Sequence, residues 1–207
     1  VDIARFRPGL PCDDLRTQLG CGESDQLLLS VGRLSRRKGF DQVIRCVQRL
    51  LPEHPELHYA LVGIGEDQQY LQELAHECGV AHRVHLLGHV AAADLPRWYN
   101  AADVFVMPNR EIDGDTEGFG MVFIKASACG TPVVAGDAGG TASAVNNGVN
   151  GYRVDGNSLD AITAAVHRLL VVPLLREQMS ASAHQWATQG FSWDRVASAT
   201  RAIARQA

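Results

Sequence analysis

A group of basic residues follows the first apolar run of the chain. The stretch VGRLSRRKGF, residues 31–40, contains Arg33, Arg36, Arg37 and Lys38 between two glycines. Glycine permits a tight turn close to a ligand, and the amphipathic pattern that follows predicts a helix beginning here. Cationic side chains beside the free N–H groups of a helix start suit phosphate, so the stretch predicts a phosphate site. A solvated basic turn would contain the same residues, and no Walker motif (G-x-x-x-x-G-K-[ST]) is present.

Four carboxylates alternate in the stretch NREIDGDTEGFG, residues 109–120. Alternating acids can chelate a hard cation, but the calcium-loop spacing is absent, because neither Glu111 nor Asp113 has Glu at the twelfth position. We interpret Glu111, Asp113 and Asp115 as a solvated acidic loop. Glu117 differs because it precedes the glycines that open a predicted helix, where its carboxylate can face a ligand.

A predicted helix within EGFGMVFIKASACGTPVVA, residues 117–135, carries one cation, Lys125, among apolar and small residues. The next loop, GDAGGTASAV (136–145), contains glycines whose N–H groups could approach an anion, although any tight strand-to-helix turn would show them. His89 follows an apolar run and is either a ligand contact or an ordinary loop histidine. The eight histidines lack the spacing of a zinc site, and GIGEDQ (63–68) does not complete the fingerprint G-x-G-x-x-G.

The elements that must position these residues are short apolar runs alternating with amphipathic segments. Strands are predicted at 26–32, 58–63, 83–88, 103–108, 132–136 and 151–154. Because the runs are continuously apolar, they are typical of parallel strands buried on both faces. The sequence predicts an α/β fold, a doubly wound Rossmann-like parallel sheet of about six strands with helices on both faces. Ligands bind such sheets at the carboxyl ends of the strands, where the loops above are expected.

The composition narrows the class of protein. A chain of 207 residues, 46% hydrophobic and 20% charged, is typical of a soluble globular protein. The net charge of −4 gives no broad basic field, so no nucleic-acid partner is expected. No apolar run approaches the roughly 18–20 residues of a membrane-spanning helix. Five irregularly spaced cysteines without a C-x-x-C pair indicate reduced thiols in a cytosolic protein.

The beginning of the chain is typical of a linker. VDIARFRPGLPCDD combines a short extended piece with Pro8, Gly9 and Pro11. Since the first residue is Val1, we expect a domain from a longer protein. The expected parts are an interdomain linker at 1–25, a Rossmann-like domain at 26–190 and a C-terminal helix at 191–207.

The ordered set of motifs resembles the carboxyl-terminal half of a family 4 (group 1) GT-B-fold retaining glycosyltransferase. The family pattern is VGR-L-x-x-x-KG, a strand ending in LG, E-G-x-G, a buried helix, G-x-P-V-V-A and then GG. These motifs occur here, in the same order, at 31–39, 87–88, 117–120, 130–135 and 139–140. The resemblance covers nearly the whole chain from about residue 26, and bacterial phosphatidylinositol mannosyltransferases are similar.

The resemblance implies that this half binds a nucleoside-diphosphate sugar, GDP- or UDP-linked, for transfer of a hexosyl group. Arg33 and Lys38 would hold the diphosphate and stabilise the departing nucleoside diphosphate, so neither a cofactor nor a metal ion is expected. Glu117 would lie near the transferred sugar, and all three are expected to act in catalysis. The further residues expected at the donor are Gly32, His89, Val90, Gly118, Phe119, Gly120, Met121, Val122 and Lys125.

Lys125 departs from the family pattern. The pattern is E-x7-E, and its second Glu accepts hydrogen bonds from the ribose hydroxyls, whereas the eighth residue after Glu117 is Lys125. An ammonium has three donors and no acceptor, so it cannot copy a carboxylate. Lys125 could donate to one ribose hydroxyl, it could contact the diphosphate, or the site could be damaged.

The resemblance also implies an amino-terminal domain absent from this chain. That domain would bind most of the acceptor, a glycan or a lipid-linked acceptor, and the C-terminal helix would cross back toward it. The fragment is therefore expected to bind donor without turnover, in the cytoplasm or at the inner face of the membrane. One alternative is a nucleotide-binding or assembly module without catalysis, which Lys125 favours. Another is a metal-dependent transferase, because Asp113 and Asp115 form a D-x-D.

Overall fold

The computed structural model describes residues 1–205 and is built around a six-stranded sheet in which all paired strands are parallel. The strands are β1 (Gln26–Val31), β2 (Leu57–Val62), β3 (Val84–Gly88), β4 (Val104–Met107), β5 (Val133–Gly136) and β6 (Gly151–Val154). Their order is β3-β2-β1-β4-β5-β6. This order confirms the predicted Rossmann-like fold and places the switch point between β1 and β4, so the loops that follow these two strands flank one crevice.

Helices cover both faces of the sheet. They are α1 (Asp13–Gln18), α2 (Phe40–Leu50), α3 (Gln68–Glu77), α4 (Leu95–Ala101), α5 (Met121–Ala128), α6 (Thr141–Ala144), α7 (Leu159–Val171), α8 (Pro173–Phe191) and α9 (Trp193–Ala204). Helix α2 packs against α3 and α7, whereas α5 packs against α4 and α8. A single turn of 3₁₀ helix, Arg36–Lys38, precedes α2.

The core explains why the strands are continuously apolar. Every residue of β2 is buried, and Leu27, Leu28 and Leu29 of β1 are fully buried. The Phe105 ring of β4 lies between Tyr99 and Phe123, with ring centroids 5.6 Å and 5.9 Å away. Fully burying an aliphatic or aromatic side chain contributes roughly 1.5–3 kcal/mol, so this layer fixes the sheet that carries the loops.

Residues 1–7, predicted as an extended piece of linker, form turns instead. The Asp2 carboxylate accepts hydrogen bonds from the N–H groups of Ala4 and Arg5, both at 3.1 Å, and this bends the chain. The bend buries Phe6 against Tyr99, with ring centroids 6.0 Å apart. The expectation of an extended piece was wrong because the apolar Phe6 finds a site on the core.

The last helix begins at Trp193, because Ser192 interrupts the helical path after α8 and its hydroxyl accepts a hydrogen bond from the Arg195 N–H. Helix α9 buries none of its residues and leaves Trp193, Val196 and Ile203 exposed. Residues 206–207, at the end of the predicted helix, lie outside the described residues. Within residues 1–205, no helix combines the length and the apolar character needed to cross a bilayer.

Candidate functional site

A cavity of about 770 Å³ opens at the carboxyl ends of β1, β2 and β3. Its walls are mostly apolar and include Val31, Val62, Ile64, Val90 and Leu95. The remaining lining residues are Gly32, Arg33, Gly63, Gly65, Glu66, His89 and Ala92. Gly32, Arg33, His89 and Val90, which the sequence predicts as ligand contacts, therefore lie together in one cavity. An apolar cleft of this size with a few polar groups is typical of a small-molecule site.

Glycine allows the two loops that form this cavity to touch. Gly63 has φ 151°, and a Cβ built on it would lie 1.8 Å from the carbonyl oxygen of Gly32. Gly32 in turn donates its N–H to the carbonyl of Val62 at 2.9 Å. A side chain at Gly63 would therefore strike the loop after β1, whereas a Cβ on Gly32 would meet only ordinary contacts, the nearest 3.5 Å away on Phe40.

Beside the cavity, the side chains of two loops meet in a cluster of charges. The ammonium of Lys38 donates a hydrogen bond to Glu117 Oε2, and Arg37 donates to the same oxygen at 3.3 Å. Arg37 also pairs with Asp115 at 2.9 Å. The side chains of Lys38 and Glu117 are only 11% and 12% exposed, so little solvent screens their charges. The structure thus brings together the predicted catalytic residues Lys38 and Glu117.

The loop that carries Lys38 is clamped against the end of β4. Gly39 has φ 75°, and a Cβ there would lie 2.2 Å from the carbonyl oxygen of Pro108. Arg110 donates its N–H to the carbonyl of Arg37 at 2.8 Å. The Arg110 guanidinium also donates to both oxygens of Asp41, at 3.0 Å and 2.9 Å, and both side chains are 10% exposed. These contacts hold the cations after β1 in a fixed position.

The glycines after β5 hold the segment that carries Glu117. Gly140 donates its N–H to the Glu117 carbonyl at 2.9 Å, and a Cβ on Gly140 would lie 1.7 Å from the Gly118 carbonyl oxygen. A Cβ on Gly139 would lie 2.1 Å from the Glu117 carbonyl oxygen. These glycines therefore allow the backbone at Glu117 to pack closely, so they position the carboxylate.

The basic residues of the loop point in different directions. Arg33 lies at the mouth of the cavity and pairs with Glu66 at 3.1 Å, and their side chains are 74% and 55% exposed. Arg36 turns away, pairs with Asp67 at 3.1 Å and lies 3.3 Å from the centroid of the Tyr70 ring. Lys38 is the most buried of these cations, since Arg37 retains 24% exposure. The loop therefore supplies one buried ammonium, that of Lys38, at the charge cluster and one exposed guanidinium, that of Arg33, at the cavity.

The residues predicted to contact the ligand at the start of α5 differ in how exposed they are. Gly120 precedes the helix with φ 81°, and a Cβ there would strike the Phe123 ring at 2.3 Å. Phe119 is partly buried, with its ring centroid 5.8 Å from that of Phe191. Gly118 and Met121 are exposed, and Val122 is partly buried. The exposed residues at this helix start, Gly118 and Met121, therefore lie close to Glu117 in the sequence. The glycines after β5 hold the backbone of this segment at Glu117.

Lys125 lies one turn further along α5, beside the first residues of the chain. Its ammonium is 5.4 Å from the centroid of the Phe6 ring. Burial, and then the positive charge of Arg5, lower the pKa of Lys125. The guanidinium of Arg5 in turn donates to the carbonyl of Ala92, which lines the cavity. The structure therefore surrounds Lys125 with an aromatic ring and a second cation.

One carboxylate of the acidic loop, Asp115, is paired within the chain, whereas Glu111 and Asp113 are exposed. Asp115 pairs with Arg37, and its backbone exchanges hydrogen bonds with Ile112 at 3.0 Å and 2.9 Å. Asp113 has φ 52°, a left-handed conformation that Asp tolerates in turns. Asp115 therefore serves as the ion-pair partner of Arg37 within the chain.

Another group of possible metal ligands, Asp25, Glu56 and His58, lies near the amino ends of β1 and β2. Arg83 occupies this group, because it lies 2.6 Å from His58 Nε2 and 3.0 Å from Glu56. A guanidinium thus already supplies the positive charge at this edge, opposite the cavity.

Sequence reasoning missed Glu66 and the role of Arg37. The loop 63–68 does not complete a glycine fingerprint, yet its residues Gly63 to Glu66 form one wall of the cavity. The available signal was its position directly after a buried strand, where a parallel sheet places ligand-binding loops. In the sequence Arg37 is one cation among four, and its two carboxylate partners come from a distant loop that local patterns do not connect with it.

Comparison with known protein families shows to which family this chain belongs. The family profile described as "Glycosyl transferases group 1" matches residues 13–186. The chain belongs to this glycosyltransferase family. The match includes the loops after β1, β3 and β4 and the glycines after β5, so it contains the cavity and the charge cluster.

Relatives and solved structures agree with the family. The GDP-mannose-dependent alpha-(1-6)-phosphatidylinositol monomannoside mannosyltransferase of Mycolicibacterium smegmatis is 38% identical over 93% of this chain and 51% of its own length. HepE of Anabaena, solved in complex with UDP and glucose, is 27% identical with a TM-score of 0.85, over 100% of this chain and 54% of its own. A C-terminal domain of a group 1 glycosyl transferase from Francisella tularensis shares the fold, with a TM-score of 0.80 at 22% identity over 93% of this chain and 99% of its own. The chain thus spans about half the length of the curated relatives it matches.

Proposed function

We propose that this group 1 chain is the donor-binding half of a retaining glycosyltransferase that needs no metal ion. The observation that carries the proposal is the meeting of Lys38, Arg37 and Glu117 at the start of α5, beside the apolar cavity. The cavity would take the nucleobase, and the cations would take the diphosphate. The family match supports this reading because it covers these same loops.

The electrostatics of the cluster support stabilisation of a leaving nucleoside diphosphate. Breaking the bond between sugar and phosphate leaves additional negative charge on the diphosphate, and a fixed ammonium lowers the barrier by countering that charge. Lys38 suits this task because it is buried and its loop is clamped, so little reorganisation accompanies the reaction. Arg37 keeps a contact to Glu117 while Lys38 turns to phosphate, which leaves the carboxylate oriented toward the sugar.

The acceptor would bind mainly to another half of a longer protein. Two observations support this: the chain spans about half the length of its curated relatives, and α9 exposes Trp193, Val196 and Ile203. We propose that α9 packs against that half. A glycan or lipid-linked acceptor would then meet the sugar in the cytoplasm or at the inner face of a membrane. The name of the mycobacterial relative, which includes phosphatidylinositol monomannoside, is compatible with a lipid-linked acceptor.

Calorimetric titration of the chain with GDP, UDP and ADP, each with and without EDTA, tests the proposal. Binding of at least one nucleoside diphosphate, unchanged by EDTA, is the expected result. Failure of all three to bind contradicts donor binding. Binding that EDTA abolishes would instead favour a metal site at Asp113 and Asp115.

A nucleotide-binding module without catalysis is the second candidate, and Lys125 is the observation that favours it. Its ammonium offers no acceptor for ribose hydroxyls and lies against Phe6. Hydrolysis of a nucleotide sugar by the longer protein that contains this chain separates the two candidates. Release of nucleoside diphosphate supports the transferase, whereas binding without release supports the module.

A further inference from the structure

Glu66 supplies a carboxylate to a mostly apolar cavity. Among the described residues that line the cavity, Glu66 is the one with an acidic side chain, and it stands beside Val62, Ile64 and Val90. A planar base fits apolar walls of this kind, and the polar groups among them then decide which base is accepted. The hydrogen bonds that Glu66 can form therefore help to decide which base this site accepts.

The backbone around Glu66 is fixed by contacts with the loop after β1. Leu34 donates its N–H to the carbonyl of Ile64 at 3.0 Å and accepts a hydrogen bond from the Asp67 N–H at 3.2 Å. A Cβ on Gly65 would lie 2.3 Å from the Leu34 carbonyl oxygen, so the two loops are in direct contact. Glu66 therefore stands on a positioned turn in a loop that lines the cavity.

The carboxylate of Glu66 is ionised, and one of its two oxygens is already paired with Arg33. Its own backbone N–H, and then Arg33, lower the pKa of Glu66 below its ordinary value. Both contacts from Arg33, each at 3.1 Å, go to the same oxygen, Oε2. Because the pair is more than half exposed, it contributes little stability by itself. A ligand can therefore share this carboxylate at small cost.

The nucleobases differ in what they offer to a carboxylate. Guanine presents two adjacent donors, N1–H and the N2 amino group, which match the two oxygens of a carboxylate. Hypoxanthine keeps N1–H but lacks the amino group, and uracil presents one N–H between two carbonyl oxygens that a carboxylate repels. A well-placed bidentate pair discriminates between bases by roughly 5- to 150-fold in affinity.

We propose that the Glu66 carboxylate accepts hydrogen bonds from N1–H and the N2 amino group of a guanine in this cavity, and so selects a GDP-linked donor over a UDP-linked one. This inference rests on the proposed donor-binding function and adds the identity of the base. The mycobacterial relative at 38% identity is named as GDP-mannose-dependent, whereas HepE at 27% was solved with UDP, so the family contains both kinds of donor.

Calorimetric titration with GDP, IDP and UDP tests the inference in the native chain and in Glu66→Gln. The native chain is expected to bind GDP about tenfold more tightly than IDP or UDP, within the range of a bidentate contact. Glu66→Gln is expected to lose about tenfold for GDP and to change UDP binding by less than about twofold, because an amide replaces one acceptor with a donor. Glu73→Gln, an exposed change on α3, is the matched control and should leave all three affinities unchanged.

Two outcomes overturn the inference and leave the proposed function standing. One is equal affinity of the native chain for the three nucleotides. The other is an equal loss for all three in Glu66→Gln, which would mean that Glu66 acts on a ribose hydroxyl or through Arg33. Binding of none of them would contradict donor binding itself. Glu66→Ala, which removes both oxygens, should reproduce the loss that is specific to guanine.

Discussion

The ammonium of Lys38 donates a hydrogen bond to Glu117 Oε2, and this contact joins two residues 79 positions apart in the sequence. It connects the loop after β1 with the segment before α5, the two sides of the crevice at the switch point of the sheet. Arg37 shares the same carboxylate oxygen at 3.3 Å. One anion is thus held by two cations, and a second anion with the charge of a diphosphate would find a site already rich in donors.

Replacement of Lys38 by Ala tests the phosphate role of this ammonium. We expect the affinity for a nucleoside diphosphate to fall about 10- to 100-fold, since a hydrogen bond to a charged group contributes roughly 1.5–3 kcal/mol. Calorimetry measures the change. Arg49→Ala is the matched control, because Arg49 forms an exposed ion pair with Asp160 at the far end of α2. Affinity within twofold of the native chain in Lys38→Ala would contradict the assignment.

Replacement of Lys125 by Glu tests the departure from the family pattern. The new carboxylate removes a half-buried ammonium beside Arg5 and adds an acceptor, so we expect a higher Tm and severalfold tighter nucleotide binding. Lys125→Met separates the effects, since it removes the charge without adding an acceptor and should raise only the Tm. Weaker nucleotide binding in Lys125→Glu would show that the native ammonium contacts phosphate.

Stability is expected to depend on pH through a pair of histidines at the amino ends of β2 and β3. Burial, with the nearby His58 and Arg83, lowers the pKa of His85 from 6.5 to about 4. Between these values the unfolded chain binds more protons than the folded one, so the free energy of unfolding falls as the pH decreases from 6.5 toward 4. Above pH 6.5 this group no longer changes the stability. Burial also lowers the pKa of His58, whose Nδ1 is 3.0 Å from His85 Nε2, so its effect has the same sign.

Urea denaturation at pH 7 and pH 5 measures this dependence. In His85→Gln the loss of stability between the two pH values should be smaller than in the native chain, because one of the two imidazoles with a lowered pKa is gone. His82→Gln is the control, since His82 is exposed two residues before β3. An unchanged pH dependence in His85→Gln would contradict the argument.

Much of the fold follows from the sequence because burial leaves a local signature. The strands are continuously apolar since both faces of the sheet are covered, and the structure places each within one residue of its predicted ends. The meeting of Lys38 with Glu117 follows from the same rule, because the carboxyl ends of parallel strands share one edge. The family motifs then indicated the kind of ligand.

The parts that escaped prediction depend on tertiary contacts. Nothing local to Gly140 indicates that it contacts the Gly118 carbonyl, and the glycine pattern after β5 was equally typical of an anion site. Phe6, in the piece predicted as extended, packs on the core against the distant Tyr99. The place of Glu66 in a ligand cavity is apparent only in the structure, where the ends of three strands form one cavity. Each of these contacts joins residues that are far apart in sequence.

Backbone amide NMR shifts during titration with GDP, UDP and ADP, each in the presence of EDTA, show directly whether a nucleoside diphosphate binds at Lys38 and the start of α5. With at least one of these nucleotides we expect shifts at one edge of the sheet, at Gly32, Lys38 and Val90 and across the start of α5 from Gly118 to Met121. At the opposite edge, Glu56, His58 and His85 should keep their amide positions, since they lie at the amino ends of β2 and β3. Shifts confined to that opposite edge, or none at saturating GDP, UDP or ADP, would contradict a nucleoside-diphosphate site formed by Lys38 and the start of α5.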